Sequence, residues 1–470
     1  MSTYVRESRP WIIWLTIFAI LLAGVGIYFY YTLFRQSKSE LIEAIPTDAA
    51  FIFALNDNDA FVSSTTSLTP YLNELFVLDA MPAYQTMRNK LPAGEYDLTV
   101  SGHTENEAIS VLFNMHADKA AFKRLLRALS IDPNNYIPFE NNRIYTYGTN
   151  FKSVKFVYLN HIISFSTDME LLKRAIVQHS HPKNLLSDKQ FKEMYNISEK
   201  NRKQNWLIIN PHKFSQHFST FLNEEMSEKL AKCFNGTSWT ALQLRFSGKD
   251  IYLSGYTLTD KTSGKGIFQY LKTQKANDAN LSELLPKTIN WYSDVKNGYS
   301  CFSLSSDSCN YHYYLAENNS SDFLSDLYGN TSSADSLRNA HTNGIYPVNG
   351  KFASTLPNLA PDTMNWVFVH GTAIVFAPST EAVALFQKTI KENGNLSQNK
   401  YYPFVNEAVA SSSLFNFVIF HDDEDTFWNA HFSDKGKASH FGQDIHIFSL
   451  SCDAVEEDQH LVPVNLYLHF

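Results

Sequence analysis

Histidine pairs are the first residues in this 470-residue sequence whose spacing suggests chemistry. His179 and His181 lie two positions apart at the end of a predicted helix. Two histidines at this spacing bind a transition metal when a third ligand comes from elsewhere in the chain. The helix dipole also favours histidine at a helix end, and this simpler interpretation competes with the metal site. His212 and His217, five positions apart, do not share a helix face.

The densest acidic segment is His421-Asp422-Asp423-Glu424-Asp425. Carboxylates this close together could ligate calcium. The spacing is not that of an EF-hand loop, and no glycine stands where that loop turns sharply. Acidic residues also stabilise the first turn of a helix, and a helix is predicted over 426–432. We therefore interpret the segment as a helix start.

Motifs for covalent or phosphate chemistry are missing from the sequence. There is no GxSxG nucleophile turn and no HExxH pair. The segment Ser263-Gly264-Lys265-Gly266 lacks the upstream glycine of a phosphate-binding loop and is interpreted as a flexible turn. The sequence therefore assigns no catalytic, metal-binding or cofactor-binding residue, and it does not indicate an enzyme.

The four cysteines include no CxxC pair, which argues against a zinc or redox motif. Cys301 and Cys309 lie on either side of a predicted turn between two strands. They would form a disulfide in an oxidising compartment if the hairpin register brings them together. Two unpaired thiols are the alternative.

Strands with alternating polar and apolar residues dominate the elements that would position these groups. Examples lie at 95–100, 108–113 and 251–256. Short loops join neighbouring strands, which predicts antiparallel pairing. Segment 119–130 has the 3.6-residue periodicity of a helix packed on a sheet face. The sequence therefore predicts an α+β fold.

Several elements recur in the same order in the two halves of the chain. The hairpins predicted over 156–165 and 366–376 are each followed by an amphipathic helix, a polar linker, a buried strand and two alternating strands. This order predicts an internal duplication, with two similar antiparallel sheet-and-helix modules over 41–260 and 284–470, joined by 261–283. Chance similarity between generic strand-turn-strand-helix units is the alternative.

The N-terminal segment 11–34 contains no charged side chain. As a helix it would be about 36 Å long, enough to cross a bilayer. A cleaved signal peptide would have a shorter apolar region that ends in small residues. We therefore expect an uncleaved membrane anchor. Lysine and arginine are balanced across it, and we place the tail 1–10 in the cytoplasm because a first apolar segment before a long domain usually acts as a signal-anchor.

The overall charge argues against one class of partner. The net charge is −8 and no run of lysine or arginine occurs. Proteins that bind nucleic acids usually present a basic face. We therefore expect no nucleic acid partner.

Residues 44–57, AIPTDAAFIFALND, follow the predicted anchor. This combination resembles uncharacterised bacterial membrane-anchored envelope proteins grouped as a domain of unknown function. In them, a Pro-x-Asp-Ala segment opens a hydrophobic strand that ends in asparagine. The corresponding segment near Pro286 lacks the Asp-Ala pair. The resemblance implies a bacterial inner-membrane protein whose ectodomain faces the periplasm, and it brings no catalytic residues.

Three functions follow as hypotheses. The first is a single-pass, extracytoplasmic binding or scaffolding protein with an envelope protein as partner. The second is a ligand- or lipid-handling module, which requires a pocket lined by convergent polar groups. The third is a hydrolase of unrecognised type.

Overall fold

The protein is described from a computed structural model. It describes residues 41–55, 68–78, 81–91, 97–105, 108–148, 153–200, 204–259, 268, 271, 284–295, 299–305, 310–317, 344–351, 363–408, 413–421, 431–453 and 460–470.

Nineteen strands form one sheet within these ranges. The strands are β1 (Ala49–Leu55), β2 (Leu98–Glu105), β3 (Ala108–His116), β4 (Ile137–Phe139), β5 (Asn142–Tyr147), β6 (Val154–Leu159), β7 (Ile162–Ser166), β8 (Asn205–Ile209), β9 (Thr237–Ser247), β10 (Asp250–Thr259), β11 (Trp291–Val295), β12 (Tyr299–Ser305), β13 (Asn310–Glu317), β14 (Tyr346–Lys351), β15 (Thr363–His370), β16 (Ala373–Ala377), β17 (Ser413–Phe420), β18 (Ile447–Asp453) and β19 (Leu461–His469).

Helices lie between these strands. They are α1 (Thr69–Phe76), α2 (Met81–Lys90), α3 (Lys119–Ala128), α4 (Met169–His179), α5 (Lys189–Lys200), α6 (Pro211–Phe218), α7 (Glu224–Cys233), α8 (Thr380–Asn393), α9 (Tyr402–Ala408), α10 (Asp434–Ala438) and α11 (His440–Asp444), with 3-10 turns at Leu185–Ser187, Ser219–Phe221 and Leu396–Gln398.

The strands pair antiparallel throughout the described sheet, as the short connections predicted. The order from one edge is β4-β5-β6-β7-β3-β2-β1-β8-β9-β10, and it continues from β10 into β19-β18-β17-β11-β12-β13-β16-β15-β14. The sequence predicted two similar sheet-and-helix modules, and the described strands of both belong to one continuous sheet. We call the antiparallel pair β10–β19 the seam, because it joins strands β1–β10, the first run, to strands β11–β19, the second run.

Outward from the seam, nine strands of each run pair in the same order, and β4 at the outer edge of the first run has no counterpart among the described strands. Their spacing along the chain also matches: β7 begins at residue 162 and β16 at residue 373, which is 211 positions later. The 3-10 turns begin at 185 and 396, again 211 positions apart. The ends of β8 and β17, residues 209 and 420, have the same separation.

Local chemistry explains the hairpin-and-helix unit that both runs contain. Asn160 and His161 turn β6 into β7 with positive φ angles of 37° and 73°, and Gly371 with φ 57° serves the β15–β16 hairpin. Two-residue hairpin turns require this left-handed backbone. The Asp168 carboxylate then accepts from the backbone N–H groups that begin α4, and the Ser379 hydroxyl does so for α8.

Helices cover both faces of the sheet. On one face α2 and α3 pack on residues such as Phe113 and Phe165, in the largest apolar cluster, which extends across both runs. The opposite face carries α4 and α5 on the first run and α8 and α9 on the second. The period-two alternation of the strands produces this three-layer arrangement, since successive side chains point to opposite faces.

The predicted cytoplasmic tail, residues 1–10, and the predicted membrane anchor, residues 11–34, lie outside the described ranges. Within those ranges, no helix combines the length and apolar character needed to span a bilayer.

Candidate functional site

A polar pocket lies on the middle strands of the sheet. Two rows of side chains cross strands β9, β10, β19 and β18 on one face, as the strand registers show. The first row is Gln243, Ser254, Asn465 and Ser451, and the second is Arg245, Tyr252, Tyr467 and Ser449. Ala408, the last residue of α9, also lines this central pocket, whose volume is about 320 Å³.

The polar side chains of the first row are not used by the fold. Within the described part of the chain, Gln243, Ser254, Asn465, Ser451 and the neighbouring Ser449 have no side-chain hydrogen bond to another residue. Ser451 and Ser449 are nevertheless only 2% exposed. Buried polar groups are normally hydrogen-bonded, so these groups favour a pocket that water or a ligand fills.

The second row is held in place by aromatic and ionic contacts. The Tyr252 and Tyr467 ring centroids are 5.0 Å apart, and the Arg245 guanidinium carbon lies 4.6 Å from the centre of the Tyr252 ring. Tyr467 donates to Asp250 Oδ1 over 2.8 Å, and His469 Nδ1 lies 2.8 Å from the same oxygen. Burial and this carboxylate raise the pKa of Tyr467, so its hydroxyl remains a donor at neutral pH.

The seam passes through the middle of the pocket. Ser254 and Asn465 are directly paired across it. They are also 211 positions apart, the spacing that relates the two runs elsewhere. The pocket therefore lies where corresponding positions of the two runs meet.

A second polar cluster, which we call the polar network, lies beside β1 in the first run. His103 Nδ1 is 2.9 Å from Asp48 Oδ1, His103 Nε2 is 3.0 Å from Ser101 Oγ, and Arg174 donates to the other oxygen of Asp48. Ser101 and His103 share one face of β2. Burial tends to raise the pKa of Asp48, but the contacts of His103 and Arg174 hold it well below its ordinary range. Asp48 is therefore a carboxylate, His103 Nδ1 donates to it, and His103 Nε2 accepts from Ser101.

These distances match a hydrolase triad, but the exposure of its members does not. In a triad the serine faces the substrate and the acid lies behind the histidine. Here Ser101 and His103 are 0% exposed, whereas the Asp48 side chain is 42% exposed. The serine cannot reach a substrate, so the network instead fixes the turn before β1 to the sheet. At the start of β11 a neutral pair, Asn290 donating to Ser305, stands in the second run.

We expect the polar network to make the protein less stable in mild acid. Burial lowers the pKa of His103 below 6.5, and Arg174 and Lys213 act in the same direction. The stabilisation that neutral His103 gives the folded state is therefore complete above pH 6.5 and is lost as the pH falls below that value. The stabilisation by Asp48 is complete above its ordinary pKa of 3.8 and is lost only as the pH falls below that value, since its folded pKa is lower. Urea unfolding at pH 7.5 and pH 5.0 should show a smaller pH-dependent loss for His103→Gln than for the unmodified chain.

The comparison between those two chains is needed because His103 is not the only histidine that affects stability. Glu74 raises the pKa of His440, which favours the folded state in acid, whereas burial lowers the pKa of His370. An equal loss of stability in the H103Q variant and the unmodified chain would contradict the role of His103.

The structure does not bring together the histidines that the sequence analysis considered as metal ligands. His179 lies in the last turn of α4, and exposed His181 contacts Lys183. Buried His217 lies on α6, and His421 Nδ1 lies 2.8 Å from the Ile445 carbonyl oxygen. No cluster of three or more metal-ligating side chains occurs among the described residues.

Other nominated residues lie wholly or partly outside the described ranges. Asp422–Asp425, residues 426–430 of the helix predicted over 426–432 and the segment 263–266 are not described. At the end of that predicted helix, Phe432 forms an isolated β-bridge with Leu222. Cys301 is buried on β12 opposite Tyr314, and Cys309 lies outside the described residues, so their disulfide stays a prediction.

The residues of the central pocket and of the polar network were not nominated from the sequence. The available signal was the alternation itself: Gln243 and Arg245 alternate with leucines on β9, and Ser449 and Ser451 alternate with apolar residues on β18. In β2 the signal was the spacing of Ser101 and His103, which places both side chains on one face of the strand.

No protein family matches the chain, and no curated protein is significantly similar to it. Among solved structures, crystal forms III, IV and I of TP0453 are similar to parts of it, with sequence identities of 11%, 12% and 10%. The likeness covers 47%, 46% and 50% of this chain and 80%, 79% and 81% of TP0453, at TM-scores of 0.26, 0.25 and 0.26. Similarity at this level does not establish a common fold.

Proposed function

We propose that this protein is a membrane-anchored, extracytoplasmic binding protein of a bacterial envelope, and that it holds a small polar ligand in the central pocket. The uncharged segment 11–34 supports the anchor, and the resemblance of residues 44–57 supports the periplasmic location. The observation that carries the binding function is the set of polar side chains that converge on the pocket without partners in the described fold.

We further propose that the chain arose by internal duplication, with modules over 41–260 and 284–470. The common order of nine strands in the two runs supports this, as does the constant separation of 211 positions over several elements. Duplication accounts for the pocket, because a two-fold relation between the runs would bring Ser254 and Asn465 together at the seam. The polar network, present in the first run alone among described residues, would be a later specialisation.

The two other hypotheses have less support. The best Ser-His-Asp geometry in the described chain has a buried serine, which does not favour a hydrolase. Among the described residues, the large exposed apolar side chains belong to five separate segments of the chain, at Ile137, Val177, Tyr256, Ile345 and Phe404. This distribution does not favour one flat apolar face for an envelope protein partner.

Replacing Ser254 with tryptophan should empty the pocket of its ligand. Ser254 is exposed at the centre of the first row, so the larger side chain fills the cavity without entering the apolar core. We expect the amount of small molecule released from the purified, denatured full-length chain to fall at least tenfold, as measured by mass spectrometry of the extract.

Thr146→Trp provides the matched control, because Thr146 is an exposed strand position on β5, away from the pocket. This variant should retain the ligand in full, and both variants should unfold in urea at similar concentrations. The same bound molecule in S254W, or none in the unmodified chain, would contradict the proposed function.

A further inference from the structure

We propose that the ligand of the central pocket is a saccharide of one or two rings, neutral or carrying a single carboxylate. This inference rests on the proposed binding function and specifies its ligand. The pocket volume of about 320 Å³ is at the small end for ligand sites, which suits a molecule of this size.

The backbone around the pocket cannot take part in recognition. β9, β10, β19 and β18 form continuous antiparallel ladders, so their N–H and C=O groups are already paired with one another. Extended peptides are usually bound through main-chain hydrogen bonds at an open sheet edge. A ligand on this face must be recognised by side chains alone, which favours a molecule dense in hydroxyl groups over a peptide.

The side chains in the first row match hydroxyl groups chemically. The amides of Gln243 and Asn465 each offer donors and an acceptor, and the serine hydroxyls can do both. A sugar hydroxyl also donates and accepts. Neighbouring strands are about 4.8 Å apart, so adjacent side chains of a row can contact neighbouring hydroxyls of one ring.

Aromatic rings flank this row on the same sheet face. Tyr252 and Tyr467 occupy the second row, and Tyr256, two positions beyond Ser254 on β10, is 40% exposed. The C–H face of a sugar ring is apolar, and a tyrosine ring offers a rigid apolar surface with a polar tip. Exposed Tyr256 therefore has the position expected of a stacking platform.

The charges on the pocket limit the charge of the ligand. Arg245 is the single formally charged residue among those lining it, and the nearby Asp250 carboxylate is occupied by Tyr467 and His469. One guanidinium can pair with one carboxylate in a bidentate manner. A nucleotide or a sugar diphosphate would bring more negative charge than this pocket can balance.

The test is saturation-transfer NMR on the full-length chain in a zwitterionic detergent, because sugar-headed detergents would compete. The probes are glucose, N-acetylglucosamine, glucuronic acid and chitobiose, with triglycine and inorganic phosphate as comparison probes. We expect saturation transfer to at least one sugar and none to triglycine. Asn465→Ala should weaken that binding about tenfold, while Thr146→Trp leaves it unchanged. Arg245→Met should remove any preference for glucuronic acid over glucose.

The possible outcomes distinguish failure of the saccharide inference from failure of the proposed binding function. Signals from triglycine or phosphate that disappear in N465A, with none from any sugar, would overturn the saccharide and leave a binding pocket. Sugar signals that persist unchanged in N465A and S254W would place the binding elsewhere and overturn the inference. No N465A-sensitive signal from any probe, together with no co-purifying molecule, would overturn both proposals.

Discussion

Replacing Gly255 with alanine is expected to cost about 3 kcal/mol of unfolding free energy, at the upper end for overpacking. A β-carbon at this position would lie 2.0 Å from the carbonyl oxygen of Ala241, far inside van der Waals contact. Gly255 is paired with Leu242 on one side and Val464 on the other. Ala241 cannot move away without breaking the β9–β10 ladder, so the clash cannot be relieved locally.

Gly248 is the matched control for this prediction, since it lies in the turn of the same β9–β10 hairpin. Its φ of +63° is unfavourable for alanine, but no atom lies within 4 Å of the added carbon. Gly248→Ala should therefore cost about 1 kcal/mol. Urea denaturation followed by circular dichroism measures both changes. Equal effects at the two positions would show that backbone conformation, and not the space between β9 and β10, decides the outcome.

Replacing Phe51 with alanine is expected to destabilise the protein by about 3–5 kcal/mol. The ring is fully buried on β1 and lies edge-on to Phe53, Phe76 and Phe214 at centroid distances of 5.5, 5.0 and 6.2 Å. It occupies the space left by Gly102, where an added β-carbon would lie 2.1 Å from Phe51 Cε1. Truncation would remove this apolar burial and leave a cavity that the surrounding rings cannot fill.

Phe404→Ala tests whether the loss depends on burial. Phe404 is 42% exposed and stacks on His469, so its removal should cost less than about 1 kcal/mol. Thermal and urea unfolding of the two variants should rank them in this order. A loss of similar size in both variants would contradict the assignment of Phe51 to the main core.

Local sequence patterns predicted the elements well. The hairpin predicted over 156–165 consists of β6 and β7, and its turn residues Asn160 and His161 both have the positive φ that such a turn needs. The helix predicted over 119–130 is α3, and the closing strands of each module are β9, β10, β18 and β19. These features depend on residues close in sequence, so their pattern contains the necessary information.

The arrangement of the strands could not be read from the same patterns. β1 pairs with β2 and also with β8, whose residues come more than 150 positions later. The seam likewise joins Ser254 to Asn465. The alternation of polar and apolar residues identifies which side chains share a face of one strand. Many different strand orders are compatible with the same alternation. The pocket residues were therefore visible as polar positions and not as neighbours.

The polar network was missed for a related reason. Asp48 lies in the turn before β1 and His103 lies on β2, 55 positions later. A single buried histidine in a strand is usually a core residue with a local partner, and its partner is set by the β1–β2 register. The buried serine and exposed aspartate, which distinguish this network from a catalytic triad, are properties of the three-dimensional structure.

The seam also bears on how the protein is made. A ribosome completes β10 at residue 259 and reaches β19 at residue 461, so about 200 residues are translated in between. At about 5–20 residues per second, the outer edge of β10 stays bare for roughly 10–40 s. A bare edge strand is a template for pairing with another chain. The strand that completes the middle of the sheet is thus translated about 200 residues after its partner, and the speed of translation through 260–460 sets how long a nascent chain is exposed to pairing with its neighbours.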